Sequence, residues 1–459
     1  MPMKNNTMSY YFVGIGGIGM SALASYFHRK GYAVAGYDKT PSEITEKLSG
    51  DGISVCFDES ETAIPPRFRQ PASTTVIYTP AVPGNHDQIT WFRAHGFVIM
   101  KRSEMLASMA STMKCLAVAG THGKTSISTL TAWVLNQKPS VCNAFLGGLS
   151  VNFGSNLVLH PESNMVVVEA DEYDRSFLKL FPDIALVSYI DTDHLDIYGS
   201  ADYMQQAYNE FIFQVKSDGC VIIKHDISEK LLSKHSTRYT YSYNDSSASF
   251  AAANIRIKES STHFDLQSPF GIISNLEIAY AGKHHIENAV AASAIALCSG
   301  AKPETIREGL RTFRGVKRRF EYILNTPKIV YIDDYAHHPR EIEATLEATR
   351  SLFPHKKITA IFQPHLYSRT RDFADEFANI LSQFDEVILL PVYPARELPI
   401  PGVESEMIYD RITLAKKHIC KKSEIEDYIV KNIETDILIS MGAGDIDRHI
   451  QTIKTILMR

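Results

Sequence analysis

Two glycine-rich loops, one lysine and a series of acids and histidines at strand ends are the residues of this chain that could do chemistry. The first loop runs Gly14-Ile15-Gly16-Gly17-Ile18-Gly19 and is entered from the apolar run Tyr10–Val13. Glycines at this spacing let the backbone turn tightly beneath a diphosphate at a helix N-terminus. Asp38 follows about twenty residues later, where an acid can bind a ribose hydroxyl. The pattern suits NAD, and it suits any other diphosphate nucleotide, a UDP-sugar included. The second loop is Gly120-Thr121-His122-Gly123-Lys124-Thr125-Ser126, entered from a buried strand expected over Lys114–Gly120. It is a shortened phosphate loop, because the full pattern has a glycine where this chain has Val118. Its glycines admit backbone N–H groups to the phosphates. Lys124 places a charge on the outer phosphates, and the Thr125 hydroxyl can ligate Mg²⁺. An ATP or GTP loop is expected here, against the plainer alternative of a glycine turn with a solvent-facing lysine. No guanine-type N-K-x-D follows, which weighs against GTP.

A triphosphate site needs a metal with hard oxygen ligands. Glu169 ends the run Met165–Val168, as a metal-bearing acid would, and pairs in function with Thr125. His194 ends the next apolar run; it is a candidate for a second ion, and taken alone it is more simply a hydrogen-bonded structural histidine. The same habit recurs along the chain: Glu169, Asp191, His194, Asp333, Asp334, His365 and Asp445 all terminate apolar runs. Open α/β sheets bind ligands beyond the carboxyl ends of their strands, so these residues are expected on the floors of sites. Basic residues follow the same logic. Arg318 and Arg319, and His365, Arg369 and Arg371, stand where an arginine fork could hold carboxylate or phosphate.

The elements that must position these groups alternate. Strand–helix alternation throughout predicts α/β folds with parallel sheets. Expected strands include Tyr32–Tyr37 and one in Thr74–Gly84 that stops in a Pro/Gly turn, then Ile329–Ile332, Ile358–Phe362, Val387–Pro391 and Ile437–Ser440. Expected helices include Met20–Arg29, Arg102–Ala110 and Lys124–Leu135. The polar stretch Ser242–Ser261 is expected to be irregular or edge structure. The boundaries expected are 1–112, 113–325 and 326–459. Each block is long enough to bury its own core.

Composition narrows the class. The 459 residues carry a net charge of −5, with no basic block, so nucleic acid is not an expected partner. The six cysteines are scattered without a C-x-x-C pair, which suits a reducing compartment. No apolar run is long enough to span a bilayer, and no signal-peptide core precedes the first glycines. A cytoplasmic enzyme without membrane partners is expected.

Taken in order, "GIGGIGMS", "GTHGKTS", "EADEYDRSF", "DTDHLDIYG", "GKHHIENAVAA", "RRFE", "DDYAHHPREI" and "FQPHLYSRTRDF" resemble the Mur ligases of peptidoglycan synthesis over essentially the whole chain. The resemblance implies a Rossmann-like UDP-binding domain, a central P-loop ATPase domain with a parallel sheet, and a Rossmann-like C-terminal domain that binds an amino acid. On that basis the first loop (Gly14, Gly16, Gly17, Ile18, Gly19, with Asp38) would hold UDP-N-acetylmuramate, and no hydride moves. ATP would lie on Gly120, Thr121, His122, Gly123, Lys124, Thr125 and Ser126, with adenine contacts from His285 and Asn288 and further contacts from Arg319 and Asp334. Position 285 is histidine where asparagine is expected. Mg²⁺ would lie on Thr125, Glu169 and His194. Tyr335, His365 and Arg369 would hold L-alanine. Lys124, Glu169, His194 and Arg319 would be the catalytic set. Several Mur ligases carry a carbamylated lysine after the D-H-x-D stretch; residues 200–215 contain none, which fits the branch that adds L-alanine. The implied reaction is ATP-dependent amide formation through an acyl phosphate, by a monomer or weak homodimer. The alternatives are the sister ligase that attaches a recycled tripeptide, a nucleotide-dependent dehydrogenase, and a non-catalytic nucleotide switch.

Overall fold

The structure is a computed structural model that describes residues 8–137, 141–160, 162–191, 198, 200–232, 237–258, 261–280, 282–395 and 397–458. His194 lies outside the described residues. The chain forms two compact units. One comprises residues 1–256, 263–278 and 287–314; the other comprises residues 257–262, 279–286 and 315–459.

The first unit opens with a parallel sheet of β1 (Ser9–Val13), β2 (Ala33–Tyr37), β3 (Ser54–Cys56), β4 (Thr74–Tyr78) and β5 (Val98–Lys101), in the order β3-β2-β1-β4-β5. β1 is central and buried, and its register sets Val13 beside Tyr37 and Tyr78. The chain leaves β1 at Gly14, whose φ of 87° is left-handed, and enters the helix Ile18–Arg29.

A larger sheet follows, built from β6 (Lys114–Ala119), β7 (Asn143–Ser150), β8 (Ser155–Val158), β9 (Met165–Glu169), β10 (Ile184–Val187), β11 (Cys220–Lys224), β12 (Arg238–Ser242), β13 (Phe250–Lys258), β14 (Ser261–Gln267) and β15 (Ile273–Ile278). Its order is β15-β14-β13-β12-β11-β10-β6-β9-β7-β8. β6 is flanked on both sides by parallel neighbours, β9 and β10. That explains its uninterrupted apolar run: a strand covered on both faces has no solvent side to make polar. The stretch 242–261 departs in part from expectation. Residues 243–249 are irregular as expected, but Phe250–Lys258 form β13, inside the sheet order, with an apolar start at Phe250–Ala252 and an exposed, polar second half that hides the strand from a periodicity reading.

The second unit carries a six-stranded sheet of β16 (Glu321–Asn325), β17 (Val330–Asp334), β18 (Ile358–Phe362), β19 (Glu386–Leu389), β20 (Lys417–Ile419) and β21 (Ile437–Met441), ordered β16-β17-β21-β18-β19-β20. Only β16 pairs antiparallel, against β17. The expected α/β class with parallel sheets is borne out. Among the described residues no helix is long and apolar enough to cross a membrane.

Candidate active site

Three adjacent parallel strands end together. The register sets Val118 of β6 beside Glu169 of β9, and Ala119 beside Val187 of β10. Their carboxyl ends therefore deliver the second glycine loop, the Glu169–Glu172 segment and Tyr189–Asp191 to one rim. Gly120 (φ 129°) and Gly123 (φ 81°) bend the loop into the helix Lys124–Leu135. Any side chain at Gly120 would collide with Ser188 and the Tyr189 backbone. Thr121 N donates to Tyr189 O at 2.9 Å, and Asp191 N donates to Thr121 Oγ1 at 3.1 Å. His122 Nε2 stands 3.1 Å from Asp191 Oδ2.

Lys124 does not face solvent. Its Nζ donates to Gly120 O at 2.7 Å and to both oxygens of Glu172 at 2.8 and 2.7 Å. Burial acts to lower the Lys124 pKa, but the charges of Glu172, Asp171 and Glu169 outweigh it and hold the ammonium above its ordinary value. Thr125 is buried in the next position, and Ser126 is half-buried. Glu169 accepts from Gly147 N at 3.1 Å, and a Cβ at Gly147 would run into its carboxylate. A glycine is required there because the backbone of β7 passes against an acid side chain. Asn288 borders the same loop: its Oδ1 lies 3.1 Å from where a Cβ of Gly123 would stand.

The first loop is tied to Asp38, whose Oδ2 accepts from Gly16 N at 2.7 Å. Gly17 caps the helix Ile18–Arg29. Arg102 was not singled out in the sequence, yet its Cδ and Nη1 lie 3.0 Å from the Cβ position of Gly19. Its other nitrogen is 3.5 Å from Asp171 Oδ2. One guanidinium thus reaches both the first loop and the acid segment that holds Lys124. The "RSE" start of its helix gave no signal, because the contact depends on how the two sheets of this unit pack.

The second unit gathers another set. Tyr335 takes the Arg318 and Arg319 guanidiniums at 5.2 and 5.0 Å from its ring centroid, within cation–π range. Arg318 is a structural clasp: it bonds Asp333 Oδ2 at 3.1 Å and Gly442 O at 2.6 Å, and it sits 3.4 Å from Asp447. Arg318 and Phe320 both have left-handed φ, at 60° and 52°, so Arg319 is presented from a strained turn. Asp334 accepts from Phe320 N and Ala336 N, each at 2.8 Å, and burial pushes its carboxyl up to about 6 against the pull of Arg319.

His337 sits between the expected amino-acid residues, its ring centroid 5.3 Å from Tyr335 and 5.8 Å from His365. Arg369 Nη1 lies 3.3 Å from His365 Nδ1, and the His365 ring stacks on Tyr393 at 5.8 Å. Tyr335, His365 and Arg369 are therefore brought together. His337 and Tyr393 were missed; the first lay in plain view within "DDYAHHP", and the second comes from a distant loop. Burial holds His337 below its ordinary pKa, with Arg369 and Arg319 adding to that against Glu341. His285 is stacked on Tyr280 at 4.9 Å, and its buried Nε2 has no hydrogen-bond partner. Burial lowers its pKa well below the usual value, so the ring is neutral. Arg371 pairs with its neighbour Asp372 at 2.7 Å on the surface.

Three family descriptions match the chain in succession: "Mur ligase family, catalytic domain" over 9–114, "Mur ligase middle domain" over 118–296, and "Mur ligase, glutamate ligase domain" over 318–446. A UDP-N-acetylmuramate–L-alanine ligase of Parabacteroides distasonis is 46% identical over 456 residues, covering 99% of this chain and 98% of that protein. The Phocaeicola vulgatus protein of the same name is 47% identical over 450 residues, covering 98% of each chain. Among solved structures, the UDP-N-acetylmuramate-alanine ligase of Thermotoga maritima superposes with a TM-score of 0.83 at 26% identity, covering 98% of this chain and 99% of its own. A murein peptide ligase of Psychrobacter arcticus shares the fold, with a TM-score of 0.71 at 22% identity and 98% coverage of both chains. Successive family matches from the first glycine loop to the last strand of the second unit, with near-half identity to relatives of the same length, show that this chain belongs to the Mur ligase family.

Proposed function

We propose that this chain joins L-alanine to the lactyl carboxylate of UDP-N-acetylmuramate, converting ATP to ADP and phosphate. The observation that carries the reading is the pair of glycine loops in one unit, one tied to Asp38 and the other to a buried Lys124–Glu172 pair. It is supported by relatives of that name aligned end to end. The alternative tripeptide ligase draws on fold likeness alone, at 22% identity. Domain limits of 1–112, 113–325 and 326–459 remain our division of the labour: UDP-sugar, ATP and amino acid in turn.

A carboxylate is a poor electrophile. In the first step a lactyl oxygen attacks the γ-phosphorus, the bond to the β-phosphate oxygen breaks, and ADP leaves an acyl phosphate. Two anions must meet, so cations decide the rate. Lys124, held charged by Glu172, is aimed along the loop to neutralise the transferring phosphoryl group. Arg319, propped on Tyr335, is assigned to the same charge. Gly120, Thr121, His122, Gly123, Thr125 and Ser126 cradle the phosphates with backbone N–H and hydroxyl groups. Asn288 and His285 are assigned to adenine, and Asp334 to the nucleotide as well.

The donors fit Mg²⁺. Glu169 and Thr125 offer hard oxygen ligands of the kind Mg²⁺ takes together with phosphates and water, and the register sets Glu169 beside Val118 on the strand that leads into the Thr125 loop. Mg²⁺, when bound, would neutralise phosphate charge at Thr125 and Glu169; His194 is assigned to a second ion. In the second step the neutral amine of L-alanine attacks the acyl carbon, phosphate leaves, and the amine proton passes to a base. Arg369 grips the alanine carboxylate, His365 orients Arg369, and the Tyr335 ring bounds the methyl. Phosphate release that requires ATP, UDP-N-acetylmuramate and L-alanine together tests the reading.

A further inference from the structure

Two buried charged side chains, Lys224 and Glu287, and the half-buried Tyr189 stand beside the phosphate loop with no part in the chemistry above. Glu287 Oε2 accepts from Tyr189 Oη at 2.9 Å and from Lys224 Nζ at 2.9 Å. The same ammonium lies 3.6 Å from the centroid of the Tyr189 ring and 3.6 Å from Asp226 Oδ2. Lys224 is 2% exposed and Glu287 3%. Burial, followed by the charge of Glu287, pushes the Tyr189 hydroxyl pKa up, so it remains a donor.

Removing two charges from water is costly, and a buried pair is often no more stable than apolar side chains of the same volume. Stability alone therefore does not account for the cluster. Fixed geometry does, because each member belongs to a different element. Tyr189 follows β10, Lys224 ends β11, and Glu287 lies on the helix Lys283–Cys298. Two of these anchor points touch the loop. Tyr189 accepts from Thr121 N through its carbonyl, and its own N lies 2.7 Å from the Cβ position of Gly120. Asn288, next to Glu287 in the chain, faces Gly123.

We propose that Lys224, Glu287 and Tyr189 are positioning residues that hold Asn288 against the phosphate loop and so set the preference for adenine over guanine nucleotides. This rests on the reading of Asn288 as an adenine contact. An amide can pair with the N6 donor and N7 acceptor of adenine at once, whereas guanine offers two acceptors on that edge. Such discrimination needs the amide held in place, and the clamp supplies that without touching the nucleotide.

The test is the double variant Lys224→Met with Glu287→Leu, which removes both charges and keeps the volume. Steady-state rates are measured with ATP and with GTP at saturating UDP-N-acetylmuramate and L-alanine. The expected result is a melting temperature near that of wild type, a KM for ATP raised about tenfold, an ATP-over-GTP preference reduced about tenfold, and kcat changed less than about threefold. A double variant that melts as wild type and keeps both the KM and the preference overturns the proposal. If that variant does not fold, Tyr189→Phe decides, since it deletes one hydroxyl: a reduced ATP-over-GTP preference supports the clamp and an unchanged one overturns it. Asn288→Ala is run in parallel. If it leaves the KM for ATP unchanged, the adenine reading fails and the clamp with it. If it raises the KM while the clamp variants do not, the clamp alone fails.

Discussion

Lys124 and Glu172 form a bidentate ion pair, with the ammonium 2.8 and 2.7 Å from the two carboxylate oxygens and the Glu172 side chain 1% exposed. The pair fixes where the lysine charge stands and keeps it protonated. Lys124→Ala should lower ATP turnover by about 10³-fold, ~4 kcal/mol of transition-state stabilisation, with UDP-sugar affinity nearly unchanged. The same change leaves Glu172 buried and unpaired, so about 3–5 kcal/mol of stability should be lost. The double variant Lys124→Ala, Glu172→Gln should recover the stability and none of the activity. Recovery of activity in the double variant would count against a role for the lysine charge on phosphate.

Glu169 and Gly147 should behave as one site. Glu169→Gln keeps the size and loses the charge; activity should fall and the Mg²⁺ concentration for half-maximal rate should rise. Gly147→Ala leaves Glu169 in place but forces its carboxylate aside, because the new Cβ occupies its position. It should shift the Mg²⁺ titration in the same direction. Identical titrations for Gly147→Ala and wild type would mean that the position of the acid does not matter to the metal.

Asp334 carries a pH signature. Its carboxyl is pushed up to about 6 by burial. Between about pH 4 and 6 the folded state binds the proton more tightly than the unfolded chain, so stability falls as pH rises through that window. Below about pH 4 both states are protonated and the effect is flat. Asp334→Asn should remove this slope, which is worth on the order of 3 kcal/mol across the window. Melting temperatures from pH 4 to 7 for the two proteins check it; parallel curves would refute the assignment.

The Arg369–His365 contact makes a prediction about the amino acid. A guanidinium only donates, so Nδ1 of His365 is the acceptor in this contact and a neutral His365 carries its proton on Nε2. Arg369→Lys keeps the charge and breaks the fork. The KM for L-alanine should rise strongly, with the KM for ATP and UDP-N-acetylmuramate moving much less. Glycine should be rejected only weakly, since one methyl is worth about 1–3 kcal/mol. A Lys variant that weakens ATP instead would move Arg369 to the phosphates.

What was legible in the sequence was local. Strand, glycine turn and helix follow one another within a few residues at Gly14–Gly19 and at Gly120–Ser126, so the chain itself carries the loop geometry. Four strands of the second unit, β17, β18, β19 and β21, were legible for the same reason, each being a short apolar run between turns, whereas the mixed β16 and the three-residue β20 were not expected. Pairings that depend on register were not. Gly147 meets Glu169 only because β7 aligns Phe145 with Val168. Glu172 closes on Lys124 across 48 residues, and Glu287 on Lys224 across 63. Glu172 lies within "EADEYDRSF" and Lys224 ends the apolar run Cys220–Ile223, but neither position names its partner. Arg102 escaped notice likewise, since its neighbours are Gly19, on the helix after β1, and Asp171, in the segment after β9, far apart in the chain.

The central claim is amide formation driven by ATP, and phosphate release with product analysis tests it most directly. The purified chain is given ATP, Mg²⁺ and UDP-N-acetylmuramate, with L-alanine, glycine, L-serine or the L-alanyl-D-glutamyl-diaminopimelate tripeptide added separately. The account predicts one phosphate and one UDP-N-acetylmuramoyl-L-alanine per ATP consumed, with L-alanine the preferred substrate and no change in NAD(P)H absorbance when that cofactor is supplied. Phosphate release that follows the tripeptide and ignores L-alanine, or ATP binding with no release on adding any amine, would contradict it.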